Sequence, residues 1–244
     1  MTFHMITNPG QRDINEDSAV CLEQDGGFCF VAADGLGGHG GGEIASQTLT
    51  EVFRREFAAA ADDTEAFLHQ AFLTAQDAIL AEQKARSAPH EMKTTAAALV
   101  LLNGKARWGH VGDTRLYFFQ KGKLKARTLD HSVPQMLVLS GDIKEKQIRR
   151  HPDRNRLLRV IGVAWDSPRY ELSEEYPLSA CQAFLLCTDG FWDFIDEKAM
   201  TRALKGVLKQ SGAAEDWLAA MTREVEQNGA GSDMDNYTAV AVIM

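Results

Sequence analysis

Apolar positions follow two periods along this chain. Ala45, Leu49, Val52, Phe53 and Phe57 recur at helical spacing from Glu43 to about Ala61. Leu68, Ala71, Phe72, Ala75 and Ile79 do the same from Thr64 to about Lys84, so two long amphipathic helices are predicted in succession. Phe28 to Ala33 is a short apolar run that ends in Asp34-Gly35, as a buried strand entering a turn would. Thr95 to Leu102 is apolar and stops at Asn103-Gly104, a strong two-residue hairpin signal, with Ala106 to Val111 as the returning strand. Further strands are expected at Arg115 to Gln120, turned by Lys121-Gly122-Lys123, at Ala183 to Cys187, and at Tyr237 to Met244. Two more helices are expected at Glu197 to Gln210 and Ala214 to Gln227. Hairpin-linked strands imply antiparallel sheets with helices packed outside them.

Composition narrows the class. The 244 residues suffice for one well-packed domain and are short for two, and no repeat or Pro/Gly-rich linker divides them, so residues 1–244 are read as a single domain. No run of about 18 apolar residues predicts a membrane span, and the first residues lack the pattern of a secretory signal. Cys21, Cys29, Cys181 and Cys187 form no CxxC pair and are read as reduced, which makes cytoplasm the expected location. A net charge of −8 argues against nucleic acid as a partner, because phosphate contacts need clustered Lys and Arg.

The acidic residues are placed unevenly. Asn15-Glu16-Asp17 precedes an apolar stretch, and Ala33-Asp34-Gly35 follows one. Val111-Gly112-Asp113 lies between two strands, Thr188-Asp189-Gly190 follows a strand with Asp193 a helical turn later, and Asp235-Asn236 precedes the last strand. Each Asp-Gly is a turn signal when taken singly. Together they bring a carboxylate to every such strand end. If these ends meet, Glu16, Asp34, Asp113, Asp189, Asp193 and Asp235 crowd one cleft with Asp17 close behind, and like charges at contact distance demand compensation. Oxygen-only donors point to a hard divalent ion, Mg²⁺ or Mn²⁺, or Ca²⁺. Two such ions about 3.5–4 Å apart activate a water and clamp a phosphoryl group. The glycines Gly37, Gly38, Gly40, Gly41 and Gly42 suit close approach of backbone to an ion or phosphate.

These segments carry a resemblance. Arg12-Asp13-Ile14-Asn15-Glu16-Asp17, Asp34-Gly35-Leu36-Gly37-Gly38-His39 with Glu43, Thr94-Thr95, Gly112-Asp113-Thr114-Arg115, Asp130-His131-Ser132, Arg159-Val160-Ile161-Gly162, Thr188-Asp189-Gly190 and Asp235-Asn236-Tyr237-Thr238 occur in one order. Their order resembles that of the metal-dependent protein phosphatase 2C family, especially its bacterial serine/threonine branch. The resemblance implies an α+β fold, a four-layer α-β-β-α sandwich of two antiparallel sheets. It implies that Asp34, Asp189 and Asp235 hold one ion, and that Asp34, the Gly35 carbonyl and Glu16, through a water, hold a second. Asp113, Asp189 and Asp193 would form a third, weaker site, and Asp17 would orient the ligands. Arg12 would take the substrate phosphate, and Asn236 would support the centre. The implied reaction is hydrolysis of phosphoserine and phosphothreonine by a hydroxide bridging two metals, without a phosphoenzyme, reversing a serine/threonine kinase in bacterial signalling. Phosphorylated proteins would be the partners, with the chain acting as a monomer.

Two positions depart from the family pattern. Leu36 stands where many eukaryotic members have a histidine, so a metal-bound water could serve as the acid, with His39, the nearest histidine in sequence, read first as a helix-start residue, and Lys93 stands where a glycine often precedes the Thr-Thr pair. No cysteine begins a Cys-x5-Arg phosphate cradle. Residues 133–165 resemble the family's flap. Within it Lys144, Lys146, Arg149, Arg150, Arg154, Arg156 and Arg159 outnumber Asp142, Glu145 and Asp153, a basic island suited to acidic partners or, equally, a solvated helix face. The alternatives are a catalytically weak regulatory module that binds phosphoproteins and a hydrolase of small phosphates.

Overall fold

The computed structural model describes residues 1–38, 40–58, 63–88 and 91–244. Two antiparallel sheets stack face to face. The first holds β1 (Thr2–Asn8), β7 (Arg115–Gln120), β8 (Lys123–Arg127), β11 (Gln182–Cys187) and β12 (Tyr237–Ile243), in the order β1-β12-β11-β7-β8. The second holds β2 (Asp17–Gln24), β3 (Gly27–Leu36), β5 (Ala96–Leu102), β6 (Lys105–Val111) and β10 (Tyr176–Pro177), in the order β10-β6-β5-β3-β2. Two short strands join its flanks, β4 (Lys93–Thr94) on β3 and β9 (Glu171–Leu172) on β6. Helices α1 (Gly41–Ala58) and α2 (Thr64–Ala85) cover the second sheet. The very short α4 (Asp189–Trp192), α5 (Glu197–Lys209) and α6 (Ala214–Gly229) cover the first, and α3 (Val133–Ser140) lies in the segment between β8 and β9.

The period of two in the sequence becomes the layering. Phe30 and Ala32 on β3 face the other sheet and meet Leu116, Phe118, Phe184, Leu186, Val240 and Val242. Their neighbours Cys29, Val31 and Ala33 face α1 and α2. There Phe53 sits edge-on to Phe72 at 5.2 Å and to Phe67 at 6.1 Å. Burying a side chain of this size contributes roughly 1.5–3 kcal/mol.

Local signals set the element ends. Asn103 and Gly104 have φ of 52° and 74°, the left-handed pair that a two-residue hairpin needs. Lys121 and Gly122 repeat it at 50° and 65°, so Lys123 belongs to β8 and not to the turn expected from the sequence. Asp63 caps α2 by accepting from the amides of Glu65 and Ala66 at 2.8 and 3.1 Å.

One expectation changes. The strand through Phe28–Ala33 does not turn at Asp34-Gly35. It continues to Leu36, because Gly35 and Leu36 pair with Thr94 and Lys93 of β4. Gly112-Asp113 lies between two strands as expected, and it carries the chain from β6 in one sheet to β7 in the other. The predicted end of the first helix near Ala61 lies outside the described residues, as does His39.

Candidate active site

The strand ends with carboxylates gather at one edge of the sandwich. Asp34 near the end of β3 stands opposite Asp17, the first residue of β2, in antiparallel register. Asp189 begins α4 just beyond β11, Asp235 lies just ahead of β12, and Asp113 sits at the crossing between sheets. Glu16, Asp34, Gly35, Asp113, Asp189 and Asp235 line one cleft of about 190 Å³, closed on its remaining sides by Leu36, Gly37, Asn155, Leu157 and Asn236. Asp17 lies behind this wall, and its Oδ2 accepts from Thr188 Oγ1 at 2.8 Å. Asp193 sits one turn after Asp189 and faces Arg154 at 3.5 Å. Arg12 is at the rim, where Nε and Nη2 donate to the two oxygens of Asp235 at 3.1 and 3.3 Å and Nη1 lies 3.3 Å from Asp233.

Close backbone approach builds the floor. A Cβ on Gly35 would lie 2.1 Å from the Gly42 carbonyl oxygen and 2.5 Å from that of Glu16. A Cβ on Gly42 would lie 2.6 Å from the Gly35 carbonyl carbon. Only glycine at both places lets the end of β3, the start of α1 and Glu16 meet. Gly37 likewise has no room beside the Glu91 carbonyl. Gly37, Gly41 and Gly42 therefore pack backbone against backbone, whereas a Cβ on Gly38 or Gly40 would meet nothing within 4 Å. The amides of Gly42 and Glu43 donate to the Glu16 carboxylate, which thereby caps α1. Asn236 ties the loop before β2. Its Oδ1 accepts from the Glu16 amide at 2.8 Å, and its Nδ2 donates to the carbonyls of Pro9 and Ile14 at 2.9 and 3.0 Å. The Thr94-Thr95 pair holds the main chain of Asp34, through Thr94 Oγ1 and the Thr95 amide donating to the Asp34 carbonyl at 2.8 and 2.9 Å.

Electrostatics single out this cleft. Burial, and then the charge of Asp189, pushes the Asp34 carboxyl well above the usual carboxylate range. Asp113 is raised in the same way by burial and Asp189. Asp17 and Asp189 are each pushed up to about 7, chiefly by burial, and Asp193 to about 6 for the same reason. Burial also raises Glu16, against the two amides that it accepts. Asp17 Oδ1, Asp113 Oδ1 and Asp193 Oδ1 are buried and have no hydrogen-bond partner. Buried polar atoms are almost always paired. A set of oxygen donors, crowded, buried and partly unpartnered, fits hard divalent cations.

Sequence reasoning missed the groups behind the cleft. Arg115 is almost fully buried and grips Asp130 with two bonds of 2.7 and 2.6 Å, its guanidinium lying 3.4 Å above the Trp192 ring. Trp192 Nε1 in turn donates to the Asp113 carbonyl at 2.9 Å. The Gly112 amide donates to His131 Nδ1 at 3.1 Å, which leaves the proton of neutral His131 on Nε2, 3.2 Å from Glu171. Burial and the adjacent His110 lower His131 to about 4. His110, His131 and Glu171 are near enough to suggest a metal site. Their imidazoles stack 4.6 Å apart and 15° from parallel, however, so the in-plane lone pairs do not converge on one point. The sequence signals here were the segments Gly112-Asp113-Thr114-Arg115 and Asp130-His131-Ser132 themselves, which assign no role to Arg115, Asp130 or His131.

The basic island divides by function. Arg149 donates to the carbonyls of Trp192 and Ile195 at 2.9 and 3.1 Å and to Glu197 at 3.1 Å, so it anchors the segment and is not a free docking charge. Arg154 faces Asp193, and Arg159 donates to Glu171 at 2.9 Å.

Residues 10–228 match the family model described as Protein phosphatase 2C. The serine/threonine phosphatase stp of Listeria welshimeri is 28% identical over 238 residues, covering 95% of this chain and 90% of that protein. The crystal structure of the serine/threonine phosphatase Stp1 from Staphylococcus aureus superposes with a TM-score of 0.87 at 25% identity, over 100% of this chain and 95% of that one. The catalytic domain of the serine/threonine protein phosphatase PstP, solved in complex with two manganese ions, gives 0.83 at 25% identity, over 98% and 96%.

Proposed function

This chain belongs to the protein phosphatase 2C family, and from that membership we propose a metal-dependent serine/threonine protein phosphatase of bacterial type. The observation that carries the reading is the cleft of buried carboxylates with unpartnered oxygens. Asp34, Asp189 and Asp235 would hold one Mn²⁺ or Mg²⁺ ion, and Asp34, the Gly35 carbonyl and, through a water, Glu16 would hold another. Asp113, Asp189 and Asp193 form a third, weaker site, and Asp17 orients its neighbours from behind the wall. Bound there, the ions supply charge that neutralises the carboxylates and a water acidic enough to attack a phosphate monoester.

The chain's own residues position and shield the substrate. Arg12 exchanges Asp235 for the phosphoryl oxygens, which its planar fork suits. Asn236 and the Gly35–Gly42 contact hold Glu16 and Asp34 in place. Leu36 and Leu157 present apolar walls that limit water at the reacting group. No histidine lines the cleft among the described residues. Residues 133–165 act as a flap that brings Asn155 and Leu157 over it, within one catalytic domain spanning 1–244.

The substrates are proteins phosphorylated by a serine/threonine kinase, and the chain works as a cytoplasmic monomer. Four unpaired cysteines, two of them buried, accord with a reducing compartment, and no helix among the described residues is long and apolar enough to cross a membrane. The test is hydrolysis of p-nitrophenyl phosphate and of a phosphothreonine peptide by metal-stripped protein titrated with Mn²⁺, beside Asp189→Asn. Activity should appear only with the ion and fall by about 100-fold or more in the variant. A folded, Mn²⁺-loaded protein that turns over neither substrate would overturn the proposal.

A further inference from the structure

A second groove opens beside the cleft. It has a volume of about 540 Å³ and shares Leu36, Asn155 and Leu157 with the cleft, so the two adjoin. Lys93, Arg156 and Arg169 line it, and none of the three has a side-chain hydrogen bond or ion pair among the described residues. Arg159, also in its wall, is already committed to Glu171. Among the described residues no acidic side chain lines it. The basic wall near Asp193 differs in this respect, because Asp193, Asp196 and Glu224 stand there beside Arg149, Arg150 and Arg154.

On a chain of net charge −8, three unpaired cations in one groove are a local reversal of sign. The backbone of Lys93 and of Arg156 is held. Lys93 is in β4, paired with Leu36. The carbonyl of Arg156 accepts from the Val133 amide at 2.9 Å, and the Leu158 amide donates to the His131 carbonyl at 2.8 Å. Leu158 and Val163 are 46% and 38% exposed, and both line the groove, so they offer apolar surface between the charges.

We propose that this groove seats Asp and Glu side chains flanking the phosphorylated residue of a protein substrate, with Lys93, Arg156 and Arg169 as the reading charges. The proposal rests on the phosphatase reading of the adjoining cleft. It makes acidic sequence context a determinant of substrate choice, acting through KM.

The experiment compares phosphothreonine peptides with acidic, neutral, basic and second-phosphate flanks, using Mn²⁺-loaded wild type and a Lys93→Gln, Arg156→Gln, Arg169→Gln triple variant. The acidic peptide should exceed the neutral one in kcat/KM by about tenfold, the ratio that a few exposed charge pairs supply. The difference should lie in KM and shrink at about 0.5 M salt, where screening is strong. The triple variant should lose the preference while keeping wild-type activity on p-nitrophenyl phosphate and the neutral peptide, with an unchanged melting temperature. Equal use of acidic and neutral peptides by the wild type would overturn the proposal, as would a preference that survives in the variant. A preference for a second phosphate without one for Asp and Glu would also overturn it. Anisotropy of the same labelled peptides on metal-free protein reads the groove without turnover. Failure of the phosphatase reading would abolish hydrolysis of every substrate, yet leave selective, Lys93/Arg156/Arg169-dependent binding of the acidic peptide.

Discussion

Asn236 shows how much one buried side chain contributes here. Its amide satisfies the Glu16 N–H and two carbonyls at once. Asn236→Ala strands those groups, so it should lower the unfolding free energy by about 2–3 kcal/mol in urea titrations. It should also weaken Mn²⁺ activation by about 10–100-fold, because the loop bearing Glu16 is no longer tied to β12. A variant that loses stability but keeps its Mn²⁺ dependence would show Asn236 to be a structural tie alone. The aspartates of the cleft were legible because charged residues at the ends of apolar runs are conspicuous. Arg115 and Asp130 were not, since their pairing becomes visible only once β7 and the chain beyond β8 are side by side.

The junction of β3 with α1 gives a second test, one in which local propensity and packing predict opposite signs. Gly42 is inside a helix, where alanine is favoured by about 1 kcal/mol. Its Cβ, however, would lie 2.6 Å from the Gly35 carbonyl carbon and 2.8 Å from the Glu16 carboxyl carbon. Gly42→Ala should therefore lower the melting temperature and impair Mn²⁺-dependent hydrolysis, while Gly206→Ala in α5, where nothing lies within 4 Å, should be neutral or stabilising. Stabilisation by Gly42→Ala would mean that the strand and helix are free to part. Hairpin ends were readable at Asn103-Gly104 because φ is a local property. The continuation of β3 through Asp34-Gly35 was not, because β4 supplies its partner from a distant stretch of chain.

Taken as a whole, the molecule carries a pH-dependent strain that a cation relieves. Asp17 and Asp189 stand near 7 and Asp193 near 6 in the folded state, against about 3.9 for an unfolded aspartate. The native protein therefore holds protons that the unfolded chain has released. Its stability without metal is fullest below about pH 4 as far as these groups are concerned, and is lost as pH rises through their folded values. The melting temperature of metal-free protein should fall between about pH 5.5 and 7.5 by several degrees, since about 1 kcal/mol moves it roughly 2–4 °C at this size. Added Mn²⁺ should raise it more at the upper end, where fewer protons must be displaced. A metal-free melting temperature that climbs with pH over this range would contradict the assigned strain.

The amino-acid order alone carried the periods of two and 3.6, the hairpin turns, the helix pair, and an ordered set of acidic segments whose resemblance implied the layered sandwich. Those are local or sequential properties, and they survive without knowledge of what touches what. Contact across long separations decided the rest. It placed Asp17 opposite Asp34, sent Gly112-Asp113 from one sheet to the other, and packed Gly35 against Gly42. It also divided one basic island into an anchor at Arg149, ion pairs at Arg154 and Arg159, and an unpaired Arg156 that joins Lys93 and Arg169. Charge in a sequence is only a count, whereas the neighbours that neutralise it or leave it free are set by the fold.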